Sequence, residues 1–338
     1  MDKLELIKRN TEEIVTEDEL KELMKKKKNP VVYWGTAPTG MVHIGYYIPM
    51  MKIRAFLKAG FKVKILIADL HAYLDDQKTL WNLLDIRSEY YKLAVKAIID
   101  SLGVDGSKIE FIKGSDFQLN NEYVLDVLRM CGDVSLNRAK KAAAEVVRIT
   151  EDPKIGSFIY PLMQIADVVA LKADVSYSGI DQRKIYMLGR ELLPKLGYGK
   201  PLCVFTPMLP GLTGGKMGSS EESSKINLLD SNEDITRKIK NAYCVAGELN
   251  DNGVMMFLKY VIMPLKEDSK KGFLVERDKK FGGNLNYKNY EEIEKDFVSR
   301  RLHPQDLKLS LAKEVNILLD AVKKKFKGKE DLIKKAYG

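Results

Sequence analysis

Apolar residues along this chain gather in short runs parted by Gly, Pro, Asn and Asp, and the runs change character near residue 230. Before that point strand-like and helix-like runs alternate. Val31-Val32-Tyr33-Trp34, opened by Pro30, consists of strand formers. A helix-like apolar run from Tyr46 to Leu57 follows. Phe61 to Ala68 alternates and then becomes wholly apolar, as in a strand near the middle of a parallel sheet. Leu83 to Leu102 predicts an amphipathic helix closed by Gly103. Ile109–Ile112, Ala173–Ser178 and Leu202–Phe205 predict further strands, with helices over 121–149, 155–171 and 181–196 between and after them. Such alternation predicts an α/β domain built on a parallel sheet. Residues 1–28 predict two short helices, the second opened by Thr16 and Glu19 as a capping box. Past Asp230 the pattern is helical: 233–243, 252–263, 289–300 and 305–326, with an interruption near Gly272–Asn284. The expected division is therefore 1–230, carrying an inserted helical segment at about 121–149, and a mainly helical domain over 231–338.

The 338 residues suffice for two domains with a sizeable core. Net charge is +9, of which +6 falls after Asp230, so an anionic partner for the second domain is worth testing against a merely soluble surface. Cys131, Cys203 and Cys244 are too few and too scattered for a disulfide framework or a zinc site. No apolar stretch approaches a membrane span or a signal sequence, and the expected setting is the cytoplasm.

The chemistry begins where the first strand breaks. In Gly35-Thr36-Ala37-Pro38-Thr39-Gly40-Met41-Val42-His43-Ile44-Gly45-Tyr46 the turn residues lead into a helix start. A strand, a Gly-bearing turn and a helix N-terminus can hold phosphate through backbone N–H groups. His43 can donate to a phosphoryl oxygen. Gly45 lets a nucleoside lie against the helix. A strand–turn–helix with one His is also common without a ligand. Far downstream, Lys216-Met217-Gly218-Ser219-Ser220 lies in a loop flanked by Gly211, Gly214 and Gly215, composition that suits a lid over a triphosphate.

Tyr160, Gln164 and Asp167 stand within the largely apolar helix 155–171. At helical spacing they form one narrow stripe. Polar groups on such a surface need partners, either from the protein or from a small ligand with hydrogen-bonding ends. Gln182, just past the next strand, falls where it can join them, which favours the ligand. Asp69, His71 and Tyr73, at the exit of the strand 61–68, are further groups placed to line a crevice.

Together, P-x-G-x-x-H-I-G and K-M-x-S-S resemble the paired ATP motifs of class I aminoacyl-tRNA synthetases. With Tyr33-Trp34-Gly35-Thr36, Ala68–Leu74, Gly179–Lys184 and Leu302–Lys308, nearly the whole chain resembles tyrosyl-tRNA synthetases of the archaeal and eukaryotic cytoplasmic kind. The resemblance implies a Rossmann-like catalytic domain followed by a helical anticodon-binding domain. It implies ATP, with Mg2+, and L-tyrosine as substrates, no tightly bound cofactor or metal site, tRNA(Tyr) as partner, and a homodimer with its contact near 121–149. It assigns Tyr33 and Asp167 to the substrate's phenol, and Tyr160, Gln164 and Gln182 to its ammonium end. It assigns ATP to Gly35, Thr36, Pro38, His43, Gly45, Tyr46, Lys216, Met217, Gly218, Ser219 and Ser220, with His43, Lys216 and Ser219 nearest the chemistry. It assigns the anticodon to Phe281, His303 and Asp306. The cytokine-like C-terminal domain of some animal members is not expected.

Two positions depart from the pattern: Tyr46 stands where a second His is usual, and Ser219, after Gly218, where a second Lys is frequent. Lys225 or a bound cation is a candidate replacement for that charge. Three other readings remain at this point: a tryptophanyl enzyme, a synthetase-like RNA-binding protein without catalysis, and a small-molecule nucleotidylyltransferase. The chain length and the helical domain speak against the last.

Overall fold

The computed structural model describes residues 2–147, 150–214 and 225–338. After a short helix α1 (Lys3–Lys8), strand β1 (Glu13–Val15) leads into α2 (Glu17–Lys26). Thr16 caps α2 and forms the expected reciprocal box with Glu19. Then come β2 (Val31–Thr36), a 3-10 turn at Ile44–Tyr46 and α3 (Tyr47–Ala59), which stops on Gly60 in the left-handed region. β3 (Lys62–Ile67), α4 (Asp69–Leu74), α5 (Leu84–Ser101) and β4 (Ile109–Lys113) continue the alternation. Helices α6 (Asn121–Asp133) and α7 (Leu136–Ala143) fill the inserted segment. α8 (Gly156–Ala170), β5 (Val175–Gly179), α9 (Arg183–Lys195) and β6 (Leu202–Thr206) close the sheet.

The strand order is β1-β6-β5-β2-β3-β4, parallel except for β1. β1 was not legible in the sequence. Its three residues are too few to show a period, and pairing with β6, Glu13 opposite Phe205, is what makes them a strand.

Alternation along each strand divides the core into two layers. Val32, Trp34, Ile65, Ile67 and Val204 face one side, with α3 and α5. Tyr33, Leu66, Cys203 and Phe205 face the other, with residues of α6 to α9.

After the sheet come α10 (Asn232–Asn241) and α11 (Gly253–Phe257), which passes through a π turn over Leu258–Ile262 into α12 (Met263–Asp268). The expected interruption is a small antiparallel pair, β7 (Phe273–Val275) and β8 (Leu285–Tyr287). α13 (Tyr290–Val298), α14 (Pro304–Phe326) and α15 (Glu330–Tyr337) follow; the last was not among the expected helices. α14 packs on both α10 and α5, and α15 packs on α5, so the first apolar layer runs on into this half of the chain.

Candidate active site

From β2, one series of parallel strands runs through β3 to β4 and the other through β5 to β6. A crevice forms beyond the carboxyl ends of the strands at such a switch point. Here it is a cavity of about 560 Å³, lined by the ends of β2, β3, β5 and β6 and by one face of α8. Tyr160, Gln164 and Asp167 all reach it, so the polar stripe on α8 faces the cavity. Gln182 joins them from the turn after β5, and Tyr33 from β2. Gly179 leaves room there: a Cβ on it would lie 2.6 Å from an Asp181 carboxylate oxygen.

Asp167 is deeply set, about 1% exposed, as is Tyr33. The Asp167 Oδ1 accepts from Gln118 Nε2 at 2.7 Å and from the Tyr123 hydroxyl at 2.9 Å. Its Oδ2 is 3.8 Å from His71 Nε2. Burial raises the Asp167 carboxyl to about 7, against the pull of the Gln118 and Tyr123 hydrogen bonds. Burial lowers His71 to about 4, so that ring is neutral at neutral pH and the His71–Asp167 approach is not an ion pair.

A second chain of hydrogen bonds links Gln182 to Tyr33 along the cavity wall. Gln164 Nε2 donates to Gln182 Oε1 at 3.1 Å and to the Tyr186 hydroxyl at 3.2 Å. Tyr186 and Tyr33 share a 2.7 Å hydroxyl–hydroxyl bond. Because the Tyr186 oxygen accepts from Gln164, its own proton is available for Tyr33. The Tyr33 proton is then left for the Gln164 carbonyl, 3.3 Å away, or for an incoming oxygen. Burial pushes both phenols up, so both keep their protons.

At the other end of the cavity, Gly35, Thr36, Thr39, His43, Gly45 and Tyr46 line the wall. His43 caps the 3-10 turn, its Nδ1 accepting from Gly45 N–H at 3.2 Å. With Nδ1 as acceptor, the neutral ring carries its proton on Nε2, which makes it a donor. Tyr46 is tied down by Thr36, hydroxyl to hydroxyl at 3.0 Å.

Several of the expected residues lie off this cavity wall. Pro38 is not part of the cavity wall; its carbonyl accepts from the Thr79 hydroxyl at 2.6 Å on the far side of the loop. Of the three groups after β3, only His71 reaches the cavity. Asp69 accepts from Ser115 N–H at 2.9 Å, and Tyr73 packs edge-on against Trp81. Lys225 is buried and does not line the cavity. Lys216, Met217, Gly218, Ser219 and Ser220 lie outside the described residues.

Sequence reasoning missed Gln118, Tyr123, Asp181 and Tyr186. Tyr186 has one usable signal, its spacing of one helical turn from Gln182. Gln118 and Tyr123 have none, since they reach Asp167 from a separate turn and helix.

In the second half, His303 caps α14 by accepting from Gln305 N–H at 3.1 Å, and Asp306 stands in the first turn. Phe281 is 61% exposed on the turn between β7 and β8. Arg277 ties that turn to the segment before His303, donating to Gly283 O at 3.0 Å and to Arg301 O at 3.2 Å.

With this geometry in view, comparison with known proteins is informative. The family described as tRNA synthetases class I (W and Y) matches residues 25–320. The tyrosine–tRNA ligase of Haloarcula marismortui is 47% identical over 99% of this chain and 97% of its own length. The cytoplasmic tyrosine–tRNA ligase of Danio rerio is 48% identical over 97% of the chain, which spans 61% of that longer protein. Among solved structures, the tyrosyl-tRNA synthetase of Archaeoglobus fulgidus, complexed with L-tyrosine, superposes with a TM-score of 0.89 at 43% identity, covering 96% of this chain and 98% of the other.

Proposed function

The chain belongs to the family of class I tRNA synthetases (W and Y), and from that premise we propose that it is a tyrosine–tRNA ligase. In the first step the tyrosine carboxylate attacks the α-phosphorus of ATP and pyrophosphate leaves. In the second, a hydroxyl of the terminal tRNA ribose attacks the tyrosyl carbonyl of the adenylate and AMP leaves.

The observation that carries the choice of tyrosine is the environment of Asp167. Its Oδ1 is held by Gln118 and Tyr123, while Oδ2 is left for a ligand at a buried wall of the cavity. A phenol donates to Oδ2 and accepts from Tyr33. Phenylalanine leaves the carboxylate without a donor, which is unfavourable in a buried site. An indole has one N–H to give and no oxygen for Tyr33 to address. Gln164, Gln182, Tyr160 and the neighbouring Asp181 carboxylate suit an ammonium group at the other end.

The loop Gly35–Tyr46 is read as the ATP site, with His43 Nε2–H supporting the charge that develops on the phosphate oxygens. Lys216 and Ser219 are assigned the same task from the lid. Mg2+ is treated as part of the nucleotide substrate. Phe281, His303 and Asp306 are assigned to the anticodon, an acidic acceptor beside aromatic rings being suited to an unstacked base. Residues 231–338 are read as the anticodon-binding unit. A homodimer across the inserted helices accounts for the exposed Val124, Leu125, Leu128 and Leu136. The working compartment is read as the cytoplasm.

The decisive test is amino-acid-dependent ATP–pyrophosphate exchange with all twenty amino acids. Tyrosine alone should drive exchange; stimulation by tryptophan, or by none, overturns the reading. Asp306→Ala should lower tRNA charging several-fold while exchange stays at the parental rate. An equal loss of both would remove the anticodon assignment.

A further inference from the structure

The wall of the nucleotide end is a loop, and its backbone is held from behind. The Pro38 carbonyl accepts from the Thr79 hydroxyl at 2.6 Å. The Thr39 carbonyl accepts from an Arg87 guanidinium nitrogen at 3.0 Å. The Gly40 carbonyl accepts twice, from the Tyr91 hydroxyl at 2.7 Å and from the Tyr337 hydroxyl at 3.0 Å. Thr79, Arg87 and Tyr91 precede or belong to α5. Tyr337 lies in the last turn of α15, 297 positions further along the chain.

Arg87 joins the two helices to the loop in one fork. The same nitrogen that meets Thr39 O also meets the Thr79 hydroxyl at 3.0 Å, while Nε donates to the Ala336 carbonyl at 3.0 Å. The guanidinium carbon lies 4.7 Å from the centre of the Tyr337 ring. That ring stands edge-on to Tyr90 at 5.1 Å, and the Tyr90 hydroxyl accepts from Val42 N–H at 3.3 Å. Leu332, Ile333 and Ala336 seat the rest of α15 on the apolar layer. Thus the side of the loop turned away from the cavity is saturated by donors from α5 and α15, while Thr39, His43 and Gly45 remain on the cavity wall.

We propose that α15 is a positioning element for ATP: Tyr337 and Arg87 fix the carbonyls of Gly40 and Thr39 and so hold the cavity-facing edge of the loop in the orientation the triphosphate needs. The inference rests on the reading of Gly35–Tyr46 as the ATP site. It makes Tyr337 and Arg87 positioning residues, acting through the loop backbone rather than on the nucleotide. It also joins the two halves of the chain. Phe326, at the end of α14, packs on the same Tyr90 ring at 5.8 Å, and α14 carries Asp306 in its first turn.

The test is pyrophosphate exchange on the full chain with ATP and tyrosine varied separately. Tyr337→Phe keeps the ring on Tyr90 and removes only the hydroxyl. Arg87→Lys keeps the charge and loses the planar fork that reaches Thr39, Thr79 and Ala336 together. Each should raise the KM for ATP by about three- to tenfold, the range of one lost hydrogen bond to the loop or its support, with the KM for tyrosine unchanged. An unchanged ATP KM in both variants, or an equal rise in both KM values, overturns the proposal, since the second is what general loosening of the fold would give. His43→Ala, assayed in parallel, separates this from the parent reading. If His43→Ala leaves exchange intact, the loop is not the ATP site. If it abolishes exchange while Tyr337→Phe and Arg87→Lys keep the parental ATP KM, only the positioning role fails.

Discussion

The two ends of the cavity are built differently. At the end read as the phenol site, side chains from β2, α4, α6, α8, α9 and the turn after β4 converge, and polar atoms meet polar atoms: Gln118 and Tyr123 on Asp167, Tyr186 on Tyr33. At the end read as the nucleotide site the protein holds its own backbone, through the carbonyls of Pro38, Thr39 and Gly40. The first arrangement suits a small ligand with one hydroxyl to read, because a buried set of donors and acceptors discriminates by leaving the wrong ligand unpaired. The second suits a phosphate chain, which is held by many similar backbone and cationic contacts, so orienting the loop matters more than any one side chain.

This contrast predicts that substitutions at one end change one KM only. The largest effect should come from Asp167→Asn. Loss of a charged acceptor in a buried site lowers kcat/KM for tyrosine by about 10- to 100-fold, while the KM for ATP stays as it was. A matching loss in ATP affinity would mean that the two ends are not independent.

Next is pH. The Asp167 carboxyl is raised to about 7 by burial, so the acceptor form is present above that pH and is lost as pH falls through it. His71 is already neutral down to about 4, and the surrounding phenols stay protonated, so Asp167 is the nearby group that titrates in this window. The KM for tyrosine should rise about tenfold from pH 8 to pH 6, and the rise should vanish in Asp167→Asn. A flat profile in the parent enzyme would show that the carboxylate is not what the phenol meets.

The smallest effect sharpens the contrast most. Tyr186→Phe removes the hydroxyl that lies between Gln164 and Tyr33. Tyrosine activation should weaken by about three- to tenfold, with phenylalanine activation unchanged, because phenylalanine has no oxygen for Tyr33 to address. If both substrates weaken together, Tyr186 serves packing and not the reading of the hydroxyl.

Much of the site was legible because it depends on local spacing. Tyr33 lies within a strand, and Tyr160, Gln164 and Asp167 share one helical face; both follow from the periods of strands and helices. Local spacing is silent on which neighbours of these residues reach the cavity. Pro38, Asp69 and Tyr73 sit beside true wall residues, yet turn away from the cavity. Strand β1 exists only because β6 offers it an edge.

The sequence by itself determined the parallel strands, the polar stripe of α8, the loop that carries His43 and the resemblance to one synthetase family. Only the tertiary structure decided who holds these groups. Gln118 and Tyr123 come to Asp167 from 49 and 44 positions away, and Tyr337 comes to Gly40 from 297. Backbone geometry repeats every two or about 3.6 residues and leaves its mark in the order of side chains. A hydrogen bond across the core depends on how whole elements pack, and no spacing along the chain records it.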